Sequence, residues 1–135
     1  MKLIALGLLL SSTLLFSATS KQDDKTGLIW QDNKDIVKNR MKYIDAQEYC
    51  KNLTLDGFKN WYLPTIQELE TILDFKRDMP TIKNGFNIRI SDYFWTSTVD
   101  AKEPKHSAWR ISFSYGEMEA YPQNRKYHVR CVTTK

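Results

Sequence analysis

Cys50 and Cys131 carry the most distinctive chemistry of this sequence. A pair of thiols can form a disulfide, hold a metal ion or supply a nucleophile. A metal site or a catalytic thiol would need further cysteines or a histidine cluster, and the sequence offers only His106 and His128, which are far apart. The choice therefore depends on the compartment, because disulfides persist where conditions are oxidising.

The first twenty residues indicate that compartment. A lysine follows the initiator methionine, residues 3–16 are a mainly apolar run with Gly7 and a few hydroxyl side chains inside it, and small residues occupy positions 18 and 20. This is the pattern of a secretory signal peptide, and its apolar run of about fourteen residues is shorter than the ~20 that a membrane span needs. We expect residues 1–20 to be removed near Ser20, leaving a periplasmic or secreted domain over 21–135 with no membrane span and a disulfide between its two cysteines.

The remaining polar residues show no catalytic pattern. Neither His106 nor His128 has a carboxylate at ligand spacing, so both are predicted to lie on the surface. Glu68 and Glu70 are two apart on a predicted helix and point in different directions, which does not suit a general acid–base pair. We expect no catalytic residue, no metal site and no cofactor.

Basic and aromatic residues of the C-terminal half are the candidates for ligand binding. If the basic side chains converge, they suit a sulfated or otherwise anionic polysaccharide, bound with a salt-dependent affinity. Because acidic residues are interleaved with them, they could instead form an ordinary solvated surface. The candidate ligand-binding residues are Lys102, Lys105, Arg110, Arg125, Lys126, Arg130, Tyr93 and Trp95, with His106 beside them.

The four tryptophans allow two interpretations. They could stack on sugar rings, or they could fill the core of a small domain. The core is favoured for Trp30, Trp61 and Trp109, and less strongly for Trp95, which precedes three polar residues. Better candidates for exposed rings are Tyr93, Tyr121 and Tyr127.

The charge balance does not suit a nucleic-acid partner. The chain has 20 Lys and Arg against 16 Asp and Glu, a formal charge of +4 that falls to +3 once Lys2 is lost with the leader. Both signs are interspersed, whereas a dedicated nucleic-acid binder presents a one-sided positive field.

Periodicity predicts two helices in the first half of the domain. A helix over residues 46–55 with Asp45 as N-cap would place Cys50 on its apolar stripe. Thr65 and Glu68 form a capping box that opens a second helix. Residues 21–25 read as a flexible start and 33–42 as a loop.

The second half is predicted to be an antiparallel sheet. Residues 93–98, 118–121 and 127–133 read as strands, and Trp109, Ile111, Phe113 and Tyr115 alternate with polar residues in another. A further short strand is predicted at residues 26–32, ahead of the two helices. The last strand would turn Tyr127, Val129 and Cys131 inward. Loops at 76–92, anchored by Ile82 and Phe86, and at 99–106 would form a variable surface. Helices followed by strands define an α+β class.

These segments, in this order, resemble the exported bacterial family known as DUF1566, or Lcl C-terminal-like. The resemblance implies a C-type-lectin-like or formylglycine-generating-enzyme-like fold, with two helices packed on a small twisted antiparallel sheet with long loops. It also implies a bridge from the first helix to the last strand, where Cys50 and Cys131 stand. The matching segments are residues 26–32, 49–50, 61–65, 68–69, 93–98, 108–110 and 129–132.

The sequence departs from the better-known relatives at their functional positions. Glu103-Pro104-Lys105 places an ammonium where calcium-dependent lectins have an oxygen ligand, so a calcium site of that kind is not expected. The pair of catalytic cysteines of the formylglycine-generating enzymes has no counterpart beyond the two bridge cysteines. We therefore expect an exported, non-catalytic binding or adhesion-type module for a glycan or envelope polymer. The alternatives are a structural subunit of an envelope protein complex and an enzyme on the same scaffold.

Overall fold

The computed structural model describes residues 19–135, so nearly all of the predicted signal peptide lies outside the described residues. The helices are α1 (Asp35–Lys38), α2 (Tyr43–Asn52) and α3 (Ile66–Glu70). The strands are β1 (Ser20–Gln22), β2 (Ile29–Gln31), β3 (Arg40–Met41), β4 (Tyr93–Val99), β5 (Ser107–Ser112), β6 (Met118–Pro122), β7 (Tyr127–His128) and β8 (Val132–Thr133). None of the helices in this part of the chain is long and apolar enough to cross a membrane.

The strands form two open sheets, with the orders β1-β2-β8 and β3-β7-β4-β5-β6. All pairs are antiparallel except β4 with β7. The α+β class is confirmed. The architecture differs from two helices on one sheet, because α1 adds a short helix and the last predicted strand divides between β7 and β8, which belong to different sheets.

The start of the domain is ordered, so the prediction of a flexible segment at 21–25 was wrong. Lys21 and Gln22 pair with β2 through their backbones, which charged residues can do as readily as apolar ones. The Asp23 carboxylate accepts hydrogen bonds from the backbone and hydroxyl of Thr26, and Gly27 adopts a φ of +74° in the turn that follows. Residues 33–42, predicted as a loop, contain α1 and β3.

Helix α2 begins three residues earlier than its predicted start, and Asp45 lies in its first turn rather than at its N-cap. The early start follows from packing. Tyr43 is buried with its ring edge against Trp95, at 5.8 Å between centroids, and its hydroxyl donates to the Ser97 carbonyl at 2.8 Å. The predicted inward placement of Cys50 is confirmed, since it is fully buried.

Helix α3 begins at the predicted capping box. The Thr65 hydroxyl accepts from the Glu68 backbone, and the Glu68 carboxylate accepts from the Thr65 backbone. The loop that follows is anchored as expected, because Ile82 and Phe86 are both buried in the core.

Two hydrophobic clusters fill the interior. One contains Trp30, Leu69 and Phe94, among others. The other surrounds a disulfide between Cys50 and Cys131, whose Cα atoms are 5.4 Å apart, and it includes Trp61, Trp95 and Val129. The bridge joins α2 to the segment between β7 and β8, which confirms the predicted pairing.

Candidate functional site

One face of the five-stranded sheet carries three tyrosines around an arginine. Cross-strand partners share a face, and so do residues two apart on one strand. Arg110 on β5 faces Glu119 on the neighbouring strand β6, and its diagonal neighbours are Tyr93 on β4 and Tyr121 on β6. Tyr127 on β7 completes the group. We call these five residues, Tyr93, Arg110, Glu119, Tyr121 and Tyr127, the tyrosine face.

Arg110 lies between two rings rather than in solvent. Its Cζ atom is 3.4 Å from the ring centroid of Tyr121, 3.7 Å from that of Tyr93 and 4.8 Å from that of Tyr127. These are cation–π distances. Only 7% of the side chain is exposed, Nη2 is 3.5 Å from Glu119, and Nε is buried without a hydrogen-bond partner. The expectation that Arg110 offers an accessible charge was therefore wrong.

The tyrosines continue an aromatic chain that starts in the core. Tyr127 contacts Trp95 at 4.8 Å, Tyr93 at 5.8 Å and Tyr121 at 6.3 Å between ring centroids. Trp95 itself lies opposite Arg110 on the same face but is fully buried, with Tyr43 of α2 packed against it, and it donates from Nε1 to the Met41 carbonyl, so it has no surface for a ligand. This corrects its place among the candidate residues, whereas the three tyrosines are half-buried and reach solvent.

Basic side chains gather next to this face, where β6 turns into β7. Gln123 in that turn donates from its backbone to the His106 carbonyl and from its side chain to the Pro104 carbonyl, which brings the loop at 99–106 alongside. Lys105 and His106 line an open groove of about 340 Å³ together with residues 122–124. Arg125 and Lys126 follow directly and are exposed.

A further lysine joins this group. Met41 lies opposite Tyr127 in the antiparallel pair of β3 and β7, and continuing the register places Lys42 beside Lys126. The backbone N–H of Tyr43 donates to the Gln123 carbonyl, which holds this junction together. Sequence reasoning missed Lys42, because only the strand register brings it here. We call Lys42, Lys105, His106, Arg125 and Lys126 the basic end.

The other two basic candidates lie elsewhere. Lys102 is exposed in the loop at 99–106 but does not line the groove. Arg130 is buried, which corrects its expected place among the solvent-facing basic residues. It donates to the Gln31 and Ile88 carbonyls and pairs with Asp32 at 3.2 Å, as a charge in the interior must. Burial lowers the pKa of Arg130 to about 10, against the opposing effect of Asp32.

His128 is also buried, which corrects its prediction as a surface residue, while His106 is exposed as expected. The Nδ1 atom of His128 is 2.7 Å from the Ile36 carbonyl, and Nε2 is 3.2 Å from both the Asp92 carboxylate and Arg40 Nε. Arg40 also pairs with Asp92. These partners are 36 to 92 positions away in sequence, so no local pattern could reveal them.

Within residues 19–135, no group of three or more His, Cys, Asp or Glu side chains could hold a metal ion. Glu68, one of the paired glutamates of the sequence, caps α3 and accepts a hydrogen bond from the Tyr62 hydroxyl at 2.6 Å.

Comparison with known families gives one match. Residues 20–133 match the model of the Lcl C-terminal domain, from the first residue of β1 to the last residue of β8, so both sheets lie within it. No curated protein matches the chain.

Proposed function

The chain belongs to the Lcl C-terminal domain family, and from this premise we propose that it is an exported, non-catalytic module that binds an anionic glycan or cell-envelope polymer. The single observation that carries the proposal is that the basic end lies at the turn between β6 and β7, the two strands that carry Tyr121 and Tyr127 of the tyrosine face. Tyr121 and Tyr127 flank the turn that carries Arg125 and Lys126, so these cations are close to the two rings along the chain.

The tyrosine face supplies the surface for a sugar ring. Aromatic faces bind the apolar C–H side of a pyranose, and tyrosine adds a hydroxyl that hydrogen-bonds at the rim. The rings of Tyr93, Tyr121 and Tyr127 are fixed by one another and by Arg110. A ligand therefore pays little of the ordering cost that mobile side chains would impose.

The basic end supplies the attraction for negative charge. Lys42, Lys105, Arg125 and Lys126 are all exposed, and none of the ion pairs among the described residues involves them. The adjacent loop carries Asp100 and Glu103, which reduces the local positive charge. We expect moderate affinity that weakens as salt is added, because exposed charges are screened within about 10 Å at 0.1 M ionic strength.

The test compares a charged polymer with its neutral backbone. Dextran sulfate and dextran share one sugar chain, and we expect calorimetry to show saturable binding of the first only. Replacing Arg125 and Lys126 by glutamine should weaken binding by a factor of about 1.4 to 5 per charge, since an exposed ion pair contributes about 0.2–1 kcal/mol. Lys25→Gln, in the turn between β1 and β2, is the matched control. Equal binding by both variants, or none by the wild type, would contradict the proposal.

Export is part of the same proposal. The leader and the disulfide support a periplasmic or secreted location, since such bridges persist in oxidising compartments. Cell fractionation and intact mass measurement test it. We expect a chain that starts at Thr19 or Lys21 in the exported fraction, with thiols alkylated only after reduction. A full-length chain in the cytoplasmic fraction would contradict it.

We also propose that the arrangement is C-type-lectin-like. Two features support this: α2 and α3 both pack on the strands of the larger sheet, and the disulfide ties α2 to the end of the chain. An experimental structure superposed on lectin-like domains tests it, and the order in which the strands pair decides the outcome.

An exposed apolar patch favours a second candidate function, interaction with a protein of the cell envelope. Phe75, Met79 and Tyr115 are more than half exposed, and the Tyr115 hydroxyl donates to the Met79 sulfur at 3.3 Å. The Phe75 ring lies so close to Gly116 that a Cβ there would be 2.6 Å from it. Contiguous exposed apolar groups mark interaction sites. Co-purification of one envelope protein at near-equal stoichiometry, lost in Phe75→Ser but retained in Val99→Ser, would support this function.

A further inference from the structure

We propose that Arg110 is a positioning residue of the tyrosine face, which holds the rings of Tyr93 and Tyr121 in place for a sugar ring and does not itself bind the anionic group of the ligand. This inference rests on the proposed function and deepens it. In this proposal the fixed rings select the sugar, and the basic end attracts the negative charge of the ligand.

The first support is the place of Arg110 in the sheet. Strand β5 lies between β4 and β6, so Arg110 has a paired strand on each side, and its two closest rings come from those two strands. With Cζ at 3.7 Å from one centroid and 3.4 Å from the other, the guanidinium spans the gap between Tyr93 and Tyr121. A planar group in that gap sets the spacing and tilt of both rings.

The second support is that the charge of Arg110 is already occupied. Its cross-strand partner Glu119 approaches Nη2 at 3.5 Å. The rings cover the guanidinium so closely that only 7% of the side chain is exposed. Nε is buried with no hydrogen-bond partner, so the guanidinium lacks a full set of hydrogen bonds, and its close contacts are with the two rings. A polyanion arriving from solvent meets the tyrosines before it meets this charge.

Lysine separates the two roles that Arg110 could have. Lysine keeps the positive charge but lacks the planar face that stacks between rings. A residue that binds the anion directly should tolerate Arg110→Lys, whereas a residue that positions rings should not. We therefore expect Arg110→Lys and Arg110→Met to weaken dextran sulfate binding to a similar degree, about fivefold or more.

The salt dependence of binding provides a readout that loss of structure alone would not give. Each cation that pairs with a polyanion adds to the slope of log affinity against log salt concentration, through counterion release. We expect Arg110→Met to bind more weakly with an unchanged slope, and Lys126→Gln to bind with a shallower slope. Aromatic proton spectra should show the signals of Tyr93 and Tyr121 moving in both Arg110 variants. Thermal melting confirms that each variant is folded.

The outcomes of these experiments test the positioning role of Arg110 separately from the proposed binding function. Full binding by Arg110→Lys, or a shallower slope in Arg110→Met, with wild-type binding intact, would overturn the positioning role alone. Failure of the wild type to bind dextran sulfate would overturn the proposed function and the ligand role of the tyrosine face with it. If Arg110→Met does not fold, the comparison of Arg110→Lys with Lys126→Gln still decides the matter.

Discussion

Asp32 and Arg130 form an ion pair in the interior of the domain, with 3.2 Å between Oδ1 and Nη1 and only 1% of each side chain exposed. The carboxylate also accepts the backbone N–H groups of Asn87 and Ile88, and the guanidinium donates to the Ile88 carbonyl. The pair therefore fastens the long loop between α3 and β4 to the end of β2. Because both side chains are excluded from solvent, neither charge could be hydrated if its partner were removed.

We predict that Arg130→Met destabilises the domain strongly, because it leaves the Asp32 carboxylate buried without its cation. Breaking a buried pair on one side costs about 3–5 kcal/mol of unfolding free energy. Urea denaturation followed by tryptophan fluorescence measures the loss. Arg125→Met is the matched control, since that arginine is exposed and surface changes stay within about 0.5 kcal/mol. Equal stability of the two variants would show that Arg130 does not make this contribution to the free energy of unfolding.

The disulfide should be the second large contribution to stability. Cys50 and Cys131 are 81 positions apart, and a loop of that size restricts the unfolded chain by up to roughly 4–5 kcal/mol in the chain-entropy account. We expect the double change to alanine to lower the free energy of unfolding by about 2–5 kcal/mol. A reducing agent should bring the wild type close to the double variant and leave the double variant unchanged. A reductant effect on both would point to a cause other than the bridge.

Local patterns in the sequence predicted the burial of both cysteines and the start of α3. Each of these features depends on residues that are close in sequence or that follow one periodicity. The stripe of α2 put Cys50 inside, the alternation at 127–133 put Cys131 inside, and the capping box set the start of α3. Each of these needs only a few neighbouring residues. Ile82 and Phe86 were predicted as the anchors of the loop at 76–92 for a similar reason, since large apolar side chains within a polar segment tend to be buried.

The residues that were misplaced depend on partners far away in sequence. Arg130 finds Asp32 across 98 positions, and His128 finds the Ile36 carbonyl across 92. Arg110 is enclosed only because strands β4 and β6 each contribute a ring. A single sequence shows the type of a basic residue but not the strand register that covers it, so exposed and enclosed arginines look alike until the sheet is assembled.

The capping box provides a smaller, local prediction. Thr65→Ala removes the acceptor for the Glu68 backbone N–H and should lower the free energy of unfolding by about 1 kcal/mol. Thr65→Ser keeps the hydroxyl and should retain most of that stability. Chemical denaturation of both variants checks this, with Thr54→Ala as an exposed threonine control. If serine and alanine destabilise equally, the hydroxyl is not what stabilises the start of α3.

The ion pair of Asp92 with Arg40 predicts how stability depends on pH. Burial raises the pKa of Asp92, but the backbone N–H of Tyr93, the Arg40 guanidinium and His128 together outweigh burial and hold that pKa below its ordinary value of 3.8. A carboxyl with a lowered pKa in the folded state binds a proton more readily when the chain is unfolded. Its contribution is therefore complete well above pH 4 and is lost as the pH falls through 3.8 toward the folded value.

We expect Asp92→Asn to be less stable than the wild type at pH 6 and the difference to shrink as the pH falls below 4. Urea denaturation at pH 6, 5, 4 and 3 measures it, with Asp24→Asn as an exposed control that should follow the wild type throughout. The Asp92→Asn variant should still lose some stability in acid because of Asp23. Burial raises the pKa of Asp23, but the hydrogen bonds from Thr26 and the charge of Lys83 outweigh burial, so the net shift of that pKa is downward. A difference between Asp92→Asn and the wild type that stays constant from pH 6 to pH 3 would show that the asparagine acts through packing and not through the lost charge.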